Sequence, residues 1–131
     1  LYYYTAEELE KGLLYDLKPL APLFIQAQDK YGIDAVFLAA IAAEESGWGR
    51  HQFRKNNIFG FYGPQFESLE HCIDYAANFL LTEYLTPDGK YYKGTSVAAV
   101  NTYYNGRDTW EEHVTKIMNN IINRIERTDS E

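Results

Sequence analysis

Two adjacent carboxylates, Glu44 and Glu45, end a stretch from Ala35 to Ala43 that is apolar at every position. With Asp34 as its cap, this stretch predicts a helix from Ala35 to about Glu45, buried on all sides and running through the middle of a domain. A carboxyl group drawn out of water at the end of such a rod is held toward its neutral form. A neutral carboxyl near pH 7 can protonate a departing oxygen. A neighbouring tryptophan, here Trp48, would strengthen the effect by keeping water away. On these residues alone a second account stays open, in which Glu44 and Glu45 are solvated acids at an ordinary helix end.

The other reactive side chains form no comparable grouping. His51, His71 and His113 are scattered, and the one cysteine, Cys72, lies in an apolar helical run where a small buried hydrophobe is expected. Neither a zinc-type ligand spacing nor a catalytic thiol is predicted, so no metal and no cofactor is expected.

The elements that must position Glu45 can be read from caps and breaks. Thr5, followed three residues later by Glu8, forms a capping box that opens a first helix near Ala6, predicted to end before Pro19. A second helix is expected from Pro19 or Ala21 to Tyr31, with Gly32 as a left-handed stop. Ser46-Gly47-Trp48-Gly49 breaks the central helix, and residues 50–65, rich in Asn, Gly and Pro, read as a groove-lining loop with at most a short helix at 51–55. Ser68 caps a fourth helix reaching Leu81 or Tyr84, and Pro87-Asp88-Gly89 is a turn. Ser96 starts a short helix to Tyr103, and Asp108 or Thr109 opens the last, with Trp110, Val114, Ile117, Ile121 and Ile125 at helical spacing and fraying from Arg127. No strand alternation or internal repeat is evident, so the fold class is all-α.

At 131 residues, 46% of them hydrophobic and 16% aromatic, the chain is expected to fold as one domain over residues 1–131. A formal charge of -7 argues against nucleic-acid partners, which require clustered Lys and Arg. No apolar run approaches the roughly 18 residues that would span a bilayer. The opening Leu-Tyr-Tyr-Tyr-Thr has no leader pattern and no Met, which is expected of a mature product or an excised module.

The segment Ala42-Ala43-Glu44-Glu45-Ser46-Gly47-Trp48-Gly49, followed by Asn56-Asn57-Ile58-Phe59-Gly60-Phe61, resembles the signature of the glucosaminidase family of bacterial cell-wall hydrolases. The likeness continues through Phe66-Glu67-Ser68-Leu69-Glu70-His71-Cys72-Ile73-Asp74-Tyr75-Ala76 and into the region of Tyr104 and Trp110, covering about residues 20–126. It implies a lysozyme-like helical domain that cuts the glycan strand of peptidoglycan outside the cell or in its wall, as an endo-β-N-acetylglucosaminidase. It further implies Glu45 as catalytic acid and Tyr104 as a groove tyrosine, with Tyr103 its rival. Trp48, Asn57, Phe59, Tyr62 and Tyr103 are the candidate substrate contacts, although Asn57 also suits a turn and Phe59 a core.

The chain departs from that pattern in two places. Only Tyr62-Gly63-Pro64-Gln65 separates Phe61 from Phe66, where relatives carry an extended lobe, commonly a β-hairpin with a second carboxylate. The lobe is therefore expected to be reduced or absent. Glu67, Glu70 and Asp108 are the replacements available, Glu67 the first choice; substrate-assisted hydrolysis and lytic transglycosylation need none of them. His51 stands where a small hydroxyl residue is usual, and with Arg50 it is either a contact for an anionic part of the wall or an exposed loop pair. A lytic transglycosylase or muramidase on the same fold is the enzymatic alternative, and a binding module that has lost turnover, in a phage tail or secretion apparatus, is the alternative class. Targeting would come from flanking domains or a larger assembly.

Overall fold

The computed structural model describes residues 3–129, and it is all-α. Its helices are α1 (Ala6–Gly12), α2 (Ala21–Tyr31), α3 (Ala35–Ser46), α4 (Leu69–Leu80), α5 (Val97–Tyr104) and α6 (Asp108–Asp129). Among the described residues the one β feature is an isolated bridge between Arg54 and Asn57, so the expected reduction of the β-lobe is complete there. No helix among them is long and apolar enough to cross a membrane.

The helices begin where the capping residues predict. Thr5 and Glu8 exchange both bonds of the capping box, at 2.9 and 3.1 Å. Asp34 accepts from the Val36 amide at 2.8 Å, and Ser68 and Ser96 accept from the amides of His71 and Ala99. Gly32 ends α2 with φ 71°, a left-handed conformation that a Cβ would disfavour.

Three helix ends add detail to the sequence reading. Helix α1 ends before Pro19 as expected, but already at Gly12, and residues Tyr15–Leu20 form a 3-10 turn. The reason is tertiary. A Cβ on Gly12 would lie 2.7 Å from Ile121 of α6, and the Arg124 guanidinium donates two hydrogen bonds, of 2.9 and 2.7 Å, to the Gly12 carbonyl. Helix α6 thus takes the acceptor that a longer α1 would use internally. At the other boundary, α-geometry in α4 ends at Leu80 and a π turn, Leu81–Leu85, carries the chain to the predicted turn, where the Gly89 amide donates to Thr86. Helix α6 continues to Asp129, past the point where fraying was expected; Leu1, Tyr2, Ser130 and Glu131 lie outside the described residues.

Helix α3 is the axis of the molecule. Every residue from Ala35 to Ala43 is buried, with α2 on one side and α6 on another. Fully burying a side chain such as Leu38 or Ile41 contributes roughly 1.5–3 kcal/mol each. Small alanines between them let the neighbouring helices approach. Helix α6 also packs along α1 and α5, while α4 packs on α2, so the N- and C-terminal halves share one apolar core.

Candidate active site

The end of α3 is built to stop abruptly and place Glu45 in an open cleft. Gly47, Trp48 and Gly49 are all left-handed, with φ of 56°, 63° and 85°. Gly47 and Trp48 amides both donate to the Ala43 carbonyl, and His51 donates to Ser46. The buried Ser46 hydroxyl donates to Ala42 at 2.6 Å and accepts from the Gly49 amide at 2.8 Å. The Ala43 and Ser46 carbonyls, two of those a helix end leaves unsatisfied, are thereby occupied by the protein itself.

Glu45 lines a cleft of about 360 Å³, whose walls include Phe59, Gly60, Tyr62, Tyr84 and Tyr104. Its carboxylate is open toward the cleft and crowded by protein elsewhere. One oxygen accepts from the Trp110 indole N–H at 3.0 Å. The other lies against Gly60, where a Cβ would sit 3.5 Å away and where φ is +73°. Glu45 is exposed as a residue, but the protein packed around its carboxyl raises that group above the usual carboxylate range; the Trp110 bond opposes this and the charge of neighbouring Glu44 adds to it. Glu44 itself is half-buried and turned to α6, 2.9 Å from His113. The two adjacent acids therefore have different surroundings, one tied to an exposed histidine and one presented to the cleft.

Tyr104 lines the same cleft, packed between Trp110 (ring centroids 5.0 Å apart) and Tyr84 (5.7 Å). Burial pushes its phenol well above the ordinary tyrosine range, with the Glu45 charge acting in the same direction. It is a neutral O–H donor at any working pH. Its neighbour Tyr103 faces the other way, 52% exposed and packed on Tyr91, and does not line the cleft.

The remaining sequence candidates divide. Tyr62, 79% exposed, stands on the cleft rim with its ring against Phe53. Phe59 is buried and contributes to the cleft wall. Asn57 is buried, and its side-chain amide is used on both backbone groups of Phe61, at 2.7 and 3.1 Å. It shapes the wall instead of offering an amide to a ligand. Trp48 is outside the cleft, since the left-handed run turns its indole toward α6, under the Arg124 guanidinium at 5.3 Å. The indole at the acid is Trp110, which spacing along the helix marked only as core. Glu67 is exposed, its amide engaged with His71, and does not line the cleft; nor do Glu70 or Asp108. Among the described residues, Glu45 is the one carboxylate in the cleft wall. Arg50 is committed elsewhere, bonded to Gly47 and stacked 3.9 Å over Tyr15, and His51 stays exposed on the same loop.

Sequence reasoning missed Tyr84, Asn101 and the role of Gly60. Tyr84 enters the cleft from the π turn, which has no periodic signal. Asn101 is buried and ties the α5–α6 connection, donating to Arg107 and Glu111 and accepting from the Gly106 amide. It fixes Tyr104 relative to Trp110. A polar residue among Val100 and the alanines of α5 was the available signal.

A family model described as "Glucosaminidase: Mannosyl-glycoprotein endo-beta-N-acetylglucosaminidase" matches residues 21–123. The chain belongs to the glucosaminidase family. The matched span takes in every cleft residue named above. Two curated relatives, from Streptococcus pneumoniae strains TIGR4 and R6, are each named "Putative endo-beta-N-acetylglucosaminidase" and are 28% identical over 93% of this chain. The chain spans about a fifth of their length, 21% and 20%.

Proposed function

We propose that this domain cleaves the glycan strand of peptidoglycan at the bond following N-acetylglucosamine, with Glu45 as the general acid. The observation that carries the reading is Glu45 in the wall of an open cleft, its carboxyl's proton affinity raised by the protein packed around it and its orientation held by Trp110. A group so poised can give its proton to the departing glycosidic oxygen. The family description names a mannosyl-glycoprotein, and the relatives' names supply the endo-β-N-acetylglucosaminidase activity; a β-linked N-acetylglucosamine is common to these and to the wall.

The second half of the reaction must proceed without a cleft carboxylate. Paired-carboxylate hydrolysis needs a partner at about 5–5.5 Å for retention, or about 6.5–9.5 Å for inversion. The reading that fits is attack on the anomeric carbon by the substrate's own N-acetyl oxygen, with the Tyr104 O–H orienting that group. Lytic transglycosylation is the second reading, favoured by the same lone carboxylate, because a sugar hydroxyl then takes the place of water. The reading places the domain in the cell wall, with targeting supplied by flanking regions of a longer protein or assembly.

Digestion of purified peptidoglycan with wild type and Glu45→Gln tests this, with product ends read by mass spectrometry before and after borohydride reduction. Reducible N-acetylglucosamine ends from the wild type, with at least about a thousandfold slower release by the variant, are expected. Cyclised ends would mean transglycosylation. Wall binding with no Glu45-dependent product would leave a binding module.

A further inference from the structure

Next in sequence to the Phe61–Tyr62 wall of the cleft is a second cavity, of about 220 Å³, lined by Arg54, Lys55, Asn57, Pro64, Gln65 and Phe66. Its charge runs against that of the molecule. The chain carries -7, yet this cavity has two cations and no carboxylate in its walls. Arg54 spends one N–H on the Tyr62 carbonyl at 3.1 Å and lies over the Phe53 ring, leaving its other donors available. Lys55 is exposed and has no hydrogen-bond or ion-pair partner among the described residues. By contrast Lys30 is paired with Asp74, and Arg50 and Arg124 are bonded to Gly47 and Gly12.

The backbone that carries the two cations is also held in place. The Asn57 amide donates to the Arg54 carbonyl at 2.9 Å, and left-handed Asn56 donates from its side chain to Phe66, so a tight turn sets Arg54 and Lys55 beside Pro64–Phe66. The same Asn57 side chain holds Phe61, and Arg54 holds Tyr62, whose ring stands on the cleft rim. Residues lining the cavity are thus bonded directly to the Phe61–Tyr62 wall of the cleft that holds Glu45.

We propose that this cavity is a subsite for a carboxylate of the peptide stem that peptidoglycan glycan carries, bound by Arg54 and Lys55. The assignment rests on the glycan-cleaving reading above. It gives the domain a way to distinguish stem-bearing glycan from bare strands of N-acetylated sugar. Guanidinium and ammonium donors suit a carboxylate, while the apolar faces of Pro64 and Phe66 suit the peptide beside it.

The test compares cleavage of three glycans by wild type, Lys55→Ala and Lys55→Glu. These are stem-bearing peptidoglycan freed of wall polymers, the same glycan stripped of stems, and stem-bearing glycan with its carboxylates amidated. Thermal melts check that the variants fold. The expected result is a wild-type preference, in kcat/KM, for the free-carboxylate glycan over the other two. That ratio should fall about five- to tenfold in Lys55→Glu and less in Lys55→Ala. An unchanged ratio in Lys55→Glu overturns the proposal. So does a preference that appears only when phosphate-bearing wall polymers are left attached, since the cations would then serve phosphate. If the wild type cleaves none of the glycans, the glycan-cleaving reading fails by itself. A titration of Glu45→Gln protein with a soluble stem-bearing disaccharide then decides, because binding that shifts the amides of Arg54 and Lys55 and is lost with Lys55→Glu upholds the subsite, and no shift overturns it.

Discussion

The acidity of Glu45 is set by neighbours that pull in opposite directions. Burial and the charge of Glu44 raise it, and the Trp110 indole bond lowers it. Removing that bond with Trp110→Phe should move the alkaline limb of the pH–rate profile upward, because the acid must be protonated to act and its proton is then held more tightly. The shift is measured by kcat/KM against pH, alongside a stability loss of roughly 1–3 kcal/mol from the unfilled indole space. Stability should respond with a definite sign. A carboxyl whose folded pKa lies above its unfolded value binds more protons when folded, so its contribution worsens as pH rises from the unfolded pKa through the folded one. Glu45→Gln should therefore melt no lower than wild type at pH 7, and its relative gain should disappear below about pH 4, near the unfolded value. The acid was readable from the apolar run before it. Its indole partner was not, because sequence proximity favours Trp48, while Trp110 arrives from 65 positions away through packing of α6 on α3.

Capping residues made most helix starts readable, since a side chain that accepts from the first-turn amides acts within three or four residues. Ends were readable where a left-handed glycine closes the helix, as at Gly32 and Gly47. They were not where another helix imposes the stop, as α6 does at Gly12. Gly12→Ala should cost about 1–3 kcal/mol, because Cβ would be 2.7 Å from both the Ile121 side chain and its carbonyl and one element must move; chemical denaturation measures it. The α5–α6 connection is a second place where long-range structure decides. Asn101→Ala removes three hydrogen bonds from a buried turn and should destabilise the fold by about 1–3 kcal/mol. It should also lower kcat more than Lys55 variants do on stripped glycan, since Tyr104 and Trp110 flank that turn.

At the scale of the whole molecule, the charge of -7 opposes approach to an anionic wall. Activity of the isolated domain on whole walls should accordingly rise between about 10 and 150 mM salt, as the Debye length contracts from roughly 30 to 8 Å. A falling rate would indicate that local attraction at Arg54 and Lys55 outweighs the overall repulsion. The two sides of the cleft also differ in how they are anchored. Glu45 extends from α3, which is buried on every side, whereas the Asn57–Phe61 and Arg54–Tyr62 clamps hold the facing wall by side-chain bonds to backbone. Amide hydrogens of α3 should exchange only when the entire chain opens, and those of residues 57–66 by cheaper local excursions. Warming would thus cost the domain its substrate cradle at temperatures where the proton donor has not moved, so inactivation should precede the loss of helical signal.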